Sequence, residues 1–171
     1  MSKQVTQAAS VPVPVYGKDK ILMFRKLGET GKTASKLLLQ VEHKWEYERK
    51  NETKATKDGA VVASGGLETK LSIEALSTRD EVNQLLADSV IQGFKLEVWE
   101  IDLAGEKQGS KYPAIYAQGS LSKWEVPANV EDMADFSTEM AIDGVPKHGF
   151  VALSDAQTQE VAYAFKDITA E

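Results

Sequence analysis

The segment TRDEVNQLLADSVIQG, residues 78–93, is the one place in the chain where a helical period dominates. Val82, Leu85, Leu86, Ser89 and Val90 stand at i, i+3, i+4, i+7 and i+8, which gathers them into a single stripe. Thr78 and Glu81 have the spacing of a capping box, in which each side chain satisfies the other residue's backbone N–H. Asp80 and Glu81 put negative charge at the positive end of the helix dipole. Gly93 supplies the residue that ends a helix in the left-handed conformation at no steric cost. The spacing predicts a helix over about 78–92, with Val82, Leu85, Leu86 and Val90 as its packing face. A helix of about four turns is marginal alone in water, so the stripe needs an apolar surface built elsewhere.

That surface reads as sheet. Residues 41–50, VEHKWEYERK, put Val41, His43, Trp45, Tyr47 and Arg49 on one side and Glu42, Lys44, Glu46, Glu48 and Lys50 on the other. An antiparallel sheet with one wet side gives this alternation. Residues 67–75 repeat it, with Leu67, Thr69, Leu71, Ile73 and Ala75 against Glu68, Lys70, Ser72 and Glu74. Further strands are expected over 20–27, 94–103, 112–126 (bent or bulged at Gly119), 136–142, 150–153 and 161–165, with Asp143-Gly144 as a tight turn. The connection over about 51–62 reads as a long polar loop turning at Asp58-Gly59, with an apolar end at 60–63. Residues 1–19 read as an extended arm, because the prolines of Val11-Pro12-Val13-Pro14-Val15 forbid helix and interrupt any donor ladder. The expected architecture is mainly β, a β-sandwich or barrel of about eight strands with one packed α-helix, in a single domain over 20–171.

Composition narrows the function. The chain of 171 residues carries a net charge of −6 and no cysteine. Disulfides, thiol catalysis and cysteine metal sites are thereby removed, and a basic nucleic-acid-binding face is not expected. No apolar run approaches the ~18 residues of a membrane span. MSKQVTQAAS lacks the apolar region of a secretory signal, so the expectation is a cytosolic product without a membrane anchor. His43 sits on the apolar side of its strand and reads as a hydrogen-bonded core histidine, whereas His148 falls in a Pro/Gly loop and reads as solvated. The carboxylate groups Glu97/Glu100/Asp102 and Glu131/Asp132/Asp135 read as solvated faces, not as a converging catalytic pair. Residues 28–33 lack the full phosphate-loop frame, and residues 102–109 lack calcium ligands at alternate positions. No catalytic residue, cofactor or metal is expected.

An ordered set of short motifs resembles a known family. GKDKILMFR at 17–25, VEH at 41–43, TKDG at 56–59, LEVWE at 96–100, KYPAIY at 111–116, GVPKHG at 144–149 and YAF at 163–165 together look like the major tail proteins of long, non-contractile-tailed phages of Gram-positive hosts. The resemblance implies a structural virion protein that forms hexameric rings stacked into a tube. It also implies tape-measure, tail-terminator and distal tail proteins as partners, assembly in the host cytoplasm, and genomic DNA passing through the lumen without specific binding. On that basis Glu42, Lys44, Glu46, Glu48 and Lys50 are expected to face the lumen. Val11, Val13, Val15 and Thr56, Lys57, Asp58 and Gly59 are expected to bridge successive rings. Other readings also fit the residues. They are a monomeric β-sandwich binding module, carbohydrate-binding or baseplate-associated, using Trp45, Trp99 and Trp124 on a concave face, the inner tube of a contractile tail or secretion system, and, remotely, a glycosidase.

Overall fold

The computed structural model describes residues 12–161. After a short 3-10 turn at Gly17–Asp19, the strands are β1 (Lys20–Lys26), β2 (Ser35–Lys36), β3 (Gln40–Arg49), β4 (Glu52–Thr56), β5 (Gly59–Ala63) and β6 (Leu67–Leu76). The helix α1 (Glu81–Gln92) follows, then β7 (Leu96–Asp102), β8 (Tyr112–Glu125), β9 (Asp135–Ile142), β10 (Lys147–Val151) and a second helix, α2 (Asp155–Val161). Eight strands form one antiparallel sheet in the order β2-β1-β7-β8-β9-β6-β3, with β10 also on β8. β4 and β5 form a separate hairpin.

β8 organises the sheet. β10 pairs with its first half, Lys147 opposite Tyr116, and β9 with its second, Ile142 opposite Gly119. The turn between them is held by Asp143, whose backbone N–H donates to Gln118 O at 2.8 Å. A Cβ at Gly119 would stand 2.1 Å from the carbonyl oxygen of Ala141, so glycine is required by this close approach. The bulge expected at Gly119 lies a little further on, between Leu121 and Lys123.

The sheet buries both faces of β1 and β7 and only one face of β3, β6 and β9. On one side, Leu22, Phe24, Val98, Leu71, Phe136 and Met140 join Val82 and Leu86 of α1 in the main core. Leu85 and Val90 pack at its margin, so the predicted helix face is the observed one. On the other side, Ile21, Met23, Ile101 and Ala114 form a smaller core. Next to it, Gln157 of α2 donates to Ala34 O at 2.8 Å.

Three local readings are corrected. The N-cap of α1 is Asp80, not Thr78: its carboxylate accepts the Asn83 N–H at 2.8 Å, and Thr78 donates its hydroxyl to Asp80 at 2.7 Å. Asn83, not Glu81, reaches back to the Thr78 N–H, at 3.2 Å. Residues expected as a long loop over 51–62 are the β4–β5 hairpin. Val161, expected to begin a last strand, ends α2, and residues 163–165 lie outside the described residues. A capping box does occur, at α2: the Ser154 N–H donates to the Gln157 side chain and the Gln157 N–H to Ser154 Oγ. Gly93 closes α1 as expected, with φ 76°.

The cap makes a discriminating pair of variants. Asp80→Ala is expected to cost about 1 kcal/mol, the usual loss of an N-cap, while Glu81→Ala stays within about 0.5 kcal/mol. Chemical denaturation of the two variants beside the parent checks this.

Candidate assembly surface

The exposed side of β3 carries Glu42, Lys44, Glu46 and Glu48, as the alternation predicts, and Lys50 follows just beyond the strand. Register adds what periodicity alone does not give. Glu42 lies opposite Glu74, Lys44 opposite Ser72, Glu46 opposite Lys70 and Glu48 opposite Glu68 on β6. The row continues to Ser137 and Glu139 of β9, and from there to Lys123 and Glu125 of β8. Four strands thus present one continuous polar surface whose reverse side is the main core. It holds seven glutamates (42, 46, 48, 68, 74, 125 and 139) against four lysines (44, 50, 70 and 123).

Each lysine is engaged within the face. Lys44 pairs with Glu46 at 3.5 Å, Lys50 with Glu68 at 2.7 Å, Lys70 with Glu139 at 3.6 Å and Lys123 with Glu125 at 3.1 Å. Such exposed pairs contribute little to stability. Their effect here is on charge: the lysines are spent on neighbours and the surplus is negative.

β3 closes this half of the sheet, hydrogen-bonded to β6 on one side. Its other tie is a buried carboxylate. Glu100 of β7, 3% exposed, accepts from Lys20 Nζ at 3.0 Å, from His43 Nε2 at 2.7 Å and from Trp45 Nε1 at 2.5 Å. Burial alone would raise its pKa, yet these donors hold it down to about 2. His43 is the hydrogen-bonded core histidine expected from the sequence, its other ring nitrogen facing Gln40 at 2.5 Å. Glu97 lies on the opposite face of β7, where burial opposes its charge but Arg25 at 2.7 Å and the Tyr116 hydroxyl at 2.6 Å keep its pKa below the usual range. The reading of Glu97 and Glu100 as solvated is therefore corrected: both are buried, and they point to different sides of the sheet. His148, exposed as expected, stands in β10, not in a loop.

The hairpin is the other feature of this half. Every residue from 50 to 64 is exposed. Its tip is local chemistry: Thr56 donates to Gly59 O at 2.6 Å, the Asp58 N–H returns to Thr56 Oγ1, and Gly59 takes φ 124°. Its neck is tight, since a Cβ on Gly65 would fall 1.7 Å from the carbonyl oxygen of Lys50. Val13 and Val15 are exposed in the irregular segment before β1, and Val11 lies outside the described residues. The three tryptophans do not share a surface. Trp45 and Trp124 pack at the margin of the main core, Trp124 stacked on Phe136, while Trp99 lies against Tyr116 on the opposite side of the sheet. A single concave aromatic face is thus not formed. Among the described residues, no group of three or more His, Asp or Glu side chains is placed to hold a metal ion.

Residues 14–148 match the phage tail tube protein family. The chain belongs to that family. This tail tube protein is similar to a putative tail protein of Staphylococcus phage phiMR25, 29% identical over 158 residues that cover 88% of this chain and 81% of that protein. Its fold is that of the SPP1 tail tube, with a TM-score of 0.74 at 17% identity over 90% of this chain and 88% of the other. A chain of the native gene transfer agent virion matches with a TM-score of 0.60 at 12% identity, over 81% of this chain and all of that one. A chain of the PVC sheath–tube complex, an extracellular contractile injection system, matches at 0.56 and 12% identity, over 88% of this chain and all of that one. The tail tube protein is thus a structural component of a phage tail, mainly β with an antiparallel sheet, as the sequence motifs implied.

The Glu100 network sets a pH response. Its pKa is depressed on folding, so its stabilisation is complete above about 4.5 and is lost as pH falls toward about 2. Glu100→Gln is expected to lower stability at pH 7 by roughly 3 kcal/mol, because Lys20 loses its counter-charge and the buried donors lose an ionised acceptor. It also flattens the acid limb of the stability profile between those two values, which denaturation across pH 2–7 would measure.

Proposed function

We propose that six copies of this chain close side by side into a ring, that rings stack into the tail tube, and that the genome passes through the lumen during ejection into the host. The observation that carries this reading is the four-stranded face of β3, β6, β9 and β8, polar outside, apolar beneath, and ending at the open edge of β3. An open strand edge offers a row of unpaired N–H and C=O groups. Side-by-side closure of six such sheets satisfies those edges and turns the polar faces inward, as the wall of a channel. The gene transfer agent tail, whose fold is similar, has C6 symmetry.

In that arrangement Glu42, Lys44, Glu46, Glu48 and Lys50 line the lumen, together with Glu68, Lys70, Glu74, Lys123, Glu125 and Glu139. A surplus of negative charge repeated around each ring repels phosphate and disfavours retention of DNA. The exposed hairpin, with Thr56, Lys57, Asp58 and Gly59 at its tip, and the Val11, Val13 and Val15 arm bridge successive rings. Assembly takes place in the host cytoplasm, around a tape-measure protein, between a terminator at one end and a distal tail protein at the other. The role is structural and needs no cofactor.

Purified protein, concentrated and stained for electron microscopy, is expected to give hollow tubes with sixfold end views. Solid filaments, or a concentrated protein that stays monomeric even with its tape-measure and distal partners added, would remove the reading. Tubes of the parent are expected to leave a single-stranded oligonucleotide in the supernatant on pelleting. Tubes of the Glu42→Lys, Glu46→Lys, Glu48→Lys variant should retain it, with a steep loss of retention as salt rises.

A further inference from the structure

Asp-Gly occurs twice in the chain, at Asp58-Gly59 and at Asp143-Gly144, and Asn-Gly does not occur. Both pairs sit at turns: the first joins β4 to β5 and the second lies between β9 and β10. The pair has a chemical consequence as well as a conformational one. A glycine after an aspartate has no side chain to shield its backbone nitrogen. That nitrogen is placed by covalent geometry to close a five-membered ring on the aspartate Cγ. Closure depends on how firmly each turn holds the two atoms out of line.

Asp143 is held on both sides. Its backbone N–H donates to Gln118 O at 2.8 Å, and its carboxylate accepts from Lys95 Nζ. The flanking strands β9 and β10 both pair with β8, so this turn is fastened to the main sheet before and after.

Asp58 is held by its own turn alone. Its N–H donates to Thr56 Oγ1 at 3.3 Å, and Thr56 donates onward to Gly59 O at 2.6 Å. Among the described residues, no hydrogen bond or ion pair engages its carboxylate. β4 and β5 pair with each other and stand apart from the eight-stranded sheet, and every residue from 50 to 64 is exposed. A two-stranded hairpin with nothing behind it is marginal in water. It therefore opens locally at a lower free-energy cost than strands built into a packed sheet.

We propose that Asp58 is a modification site, at which the chain isomerises without an enzyme from aspartate to isoaspartate, and that Asp143 is protected by its turn. The Gly59 nitrogen attacks the Asp58 Cγ. The new C–N bond replaces the C–OH bond of the carboxyl group, and the hydroxyl leaves as water with the amide proton. The product is a succinimide. Water then adds to one of the two ring carbonyls. Breaking the Cγ–N bond restores aspartate, whereas breaking the original peptide C–N bond leaves the chain running through Cβ and Cγ. One water leaves and one returns, so the step needs no other reagent. The carbon inserted into the main chain changes the spacing between Thr56 and Gly59 on which both tip bonds depend. This chemistry needs only the free subunit and is independent of whether rings form.

Purified protein is aged in mildly alkaline buffer below its unfolding temperature and digested. The peptides are then offered to an isoaspartyl methyltransferase with radiolabelled S-adenosylmethionine. Label is expected to accumulate with time in the peptide carrying Asp58 and to stay at background in the peptide carrying Asp143. Protein aged in concentrated urea is expected to label both peptides, because the fold no longer distinguishes them. Asp58→Glu, whose longer side chain does not close the five-membered ring, should remove the native label while leaving the denaturation profile that of the parent. An Asp58 peptide that stays unlabelled in the native protein but gains label in urea would overturn the proposal. Equal labelling of both peptides in the native protein would overturn it too, since the two turns would then make no difference.

Discussion

A buried, ionised carboxylate ties the edge of the sheet to its middle. β3 has backbone pairing to β6 and no backbone pairing to β1 or β7, so the two donors it sends to Glu100, His43 and Trp45, are what hold it across the core, with Lys20 of β1 as the third donor on the same carboxylate. Taking a charge out of water is expensive, and the cost is offset only when the geometry satisfies it fully. The network therefore strongly favours one placement: β3 sits with its charged side outward, or Glu100 is left buried with Lys20 as its sole remaining donor of the three. The polar face on four strands follows from that placement. A slip of one residue in β3 would turn His43 and Trp45 outward and bring Glu42 and Glu46 into the core.

How much of this the sequence disclosed depends on the range of the interaction. The helix stripe and the two faces of β3 and β6 are local periodicities, and both were legible. The cap of α1 was placed two residues early because Thr78 and Asp80 are both good N-cap types. What separates them is Asn83, whose side chain takes the place expected of Glu81. The hairpin was read as loop because its residues are small or polar and its tip signal, Asp58-Gly59, stands in a long polar stretch. The exposure of Val61 and Val62 shows why: no apolar face of this chain patterns that segment. α2 carried its own signal in Ser154 and Gln157, which the alternation after Val161 obscured.

Pairing is non-local and was not legible. Nothing in residues 41–50 says that Glu74, Glu139 and Glu125 continue the same surface across three more strands, or that Glu100, in an unremarkable alternation of β7, is buried. The alternation of Glu97 and Glu100 with apolar neighbours resembles a wet face because strand period reports sidedness, not environment. β7 is buried on both sides, and its carboxylates are kept charged by partners 19 to 80 residues distant in the chain.

The two ends of the four-stranded polar face carry the β4–β5 hairpin and the acidic, apolar segment 126–134, and they are not interchangeable. A subunit of that kind cannot join end to end with its own mirror arrangement, so any stack that uses both ends has a direction. The two tips of such a stack expose different chemistry, and a protein that seals one has nothing to grip at the other. Nor does the repeat contain a stopping rule, since the last copy added offers the same surface as the first. In a stack of that kind, direction is built into the subunit and length is not.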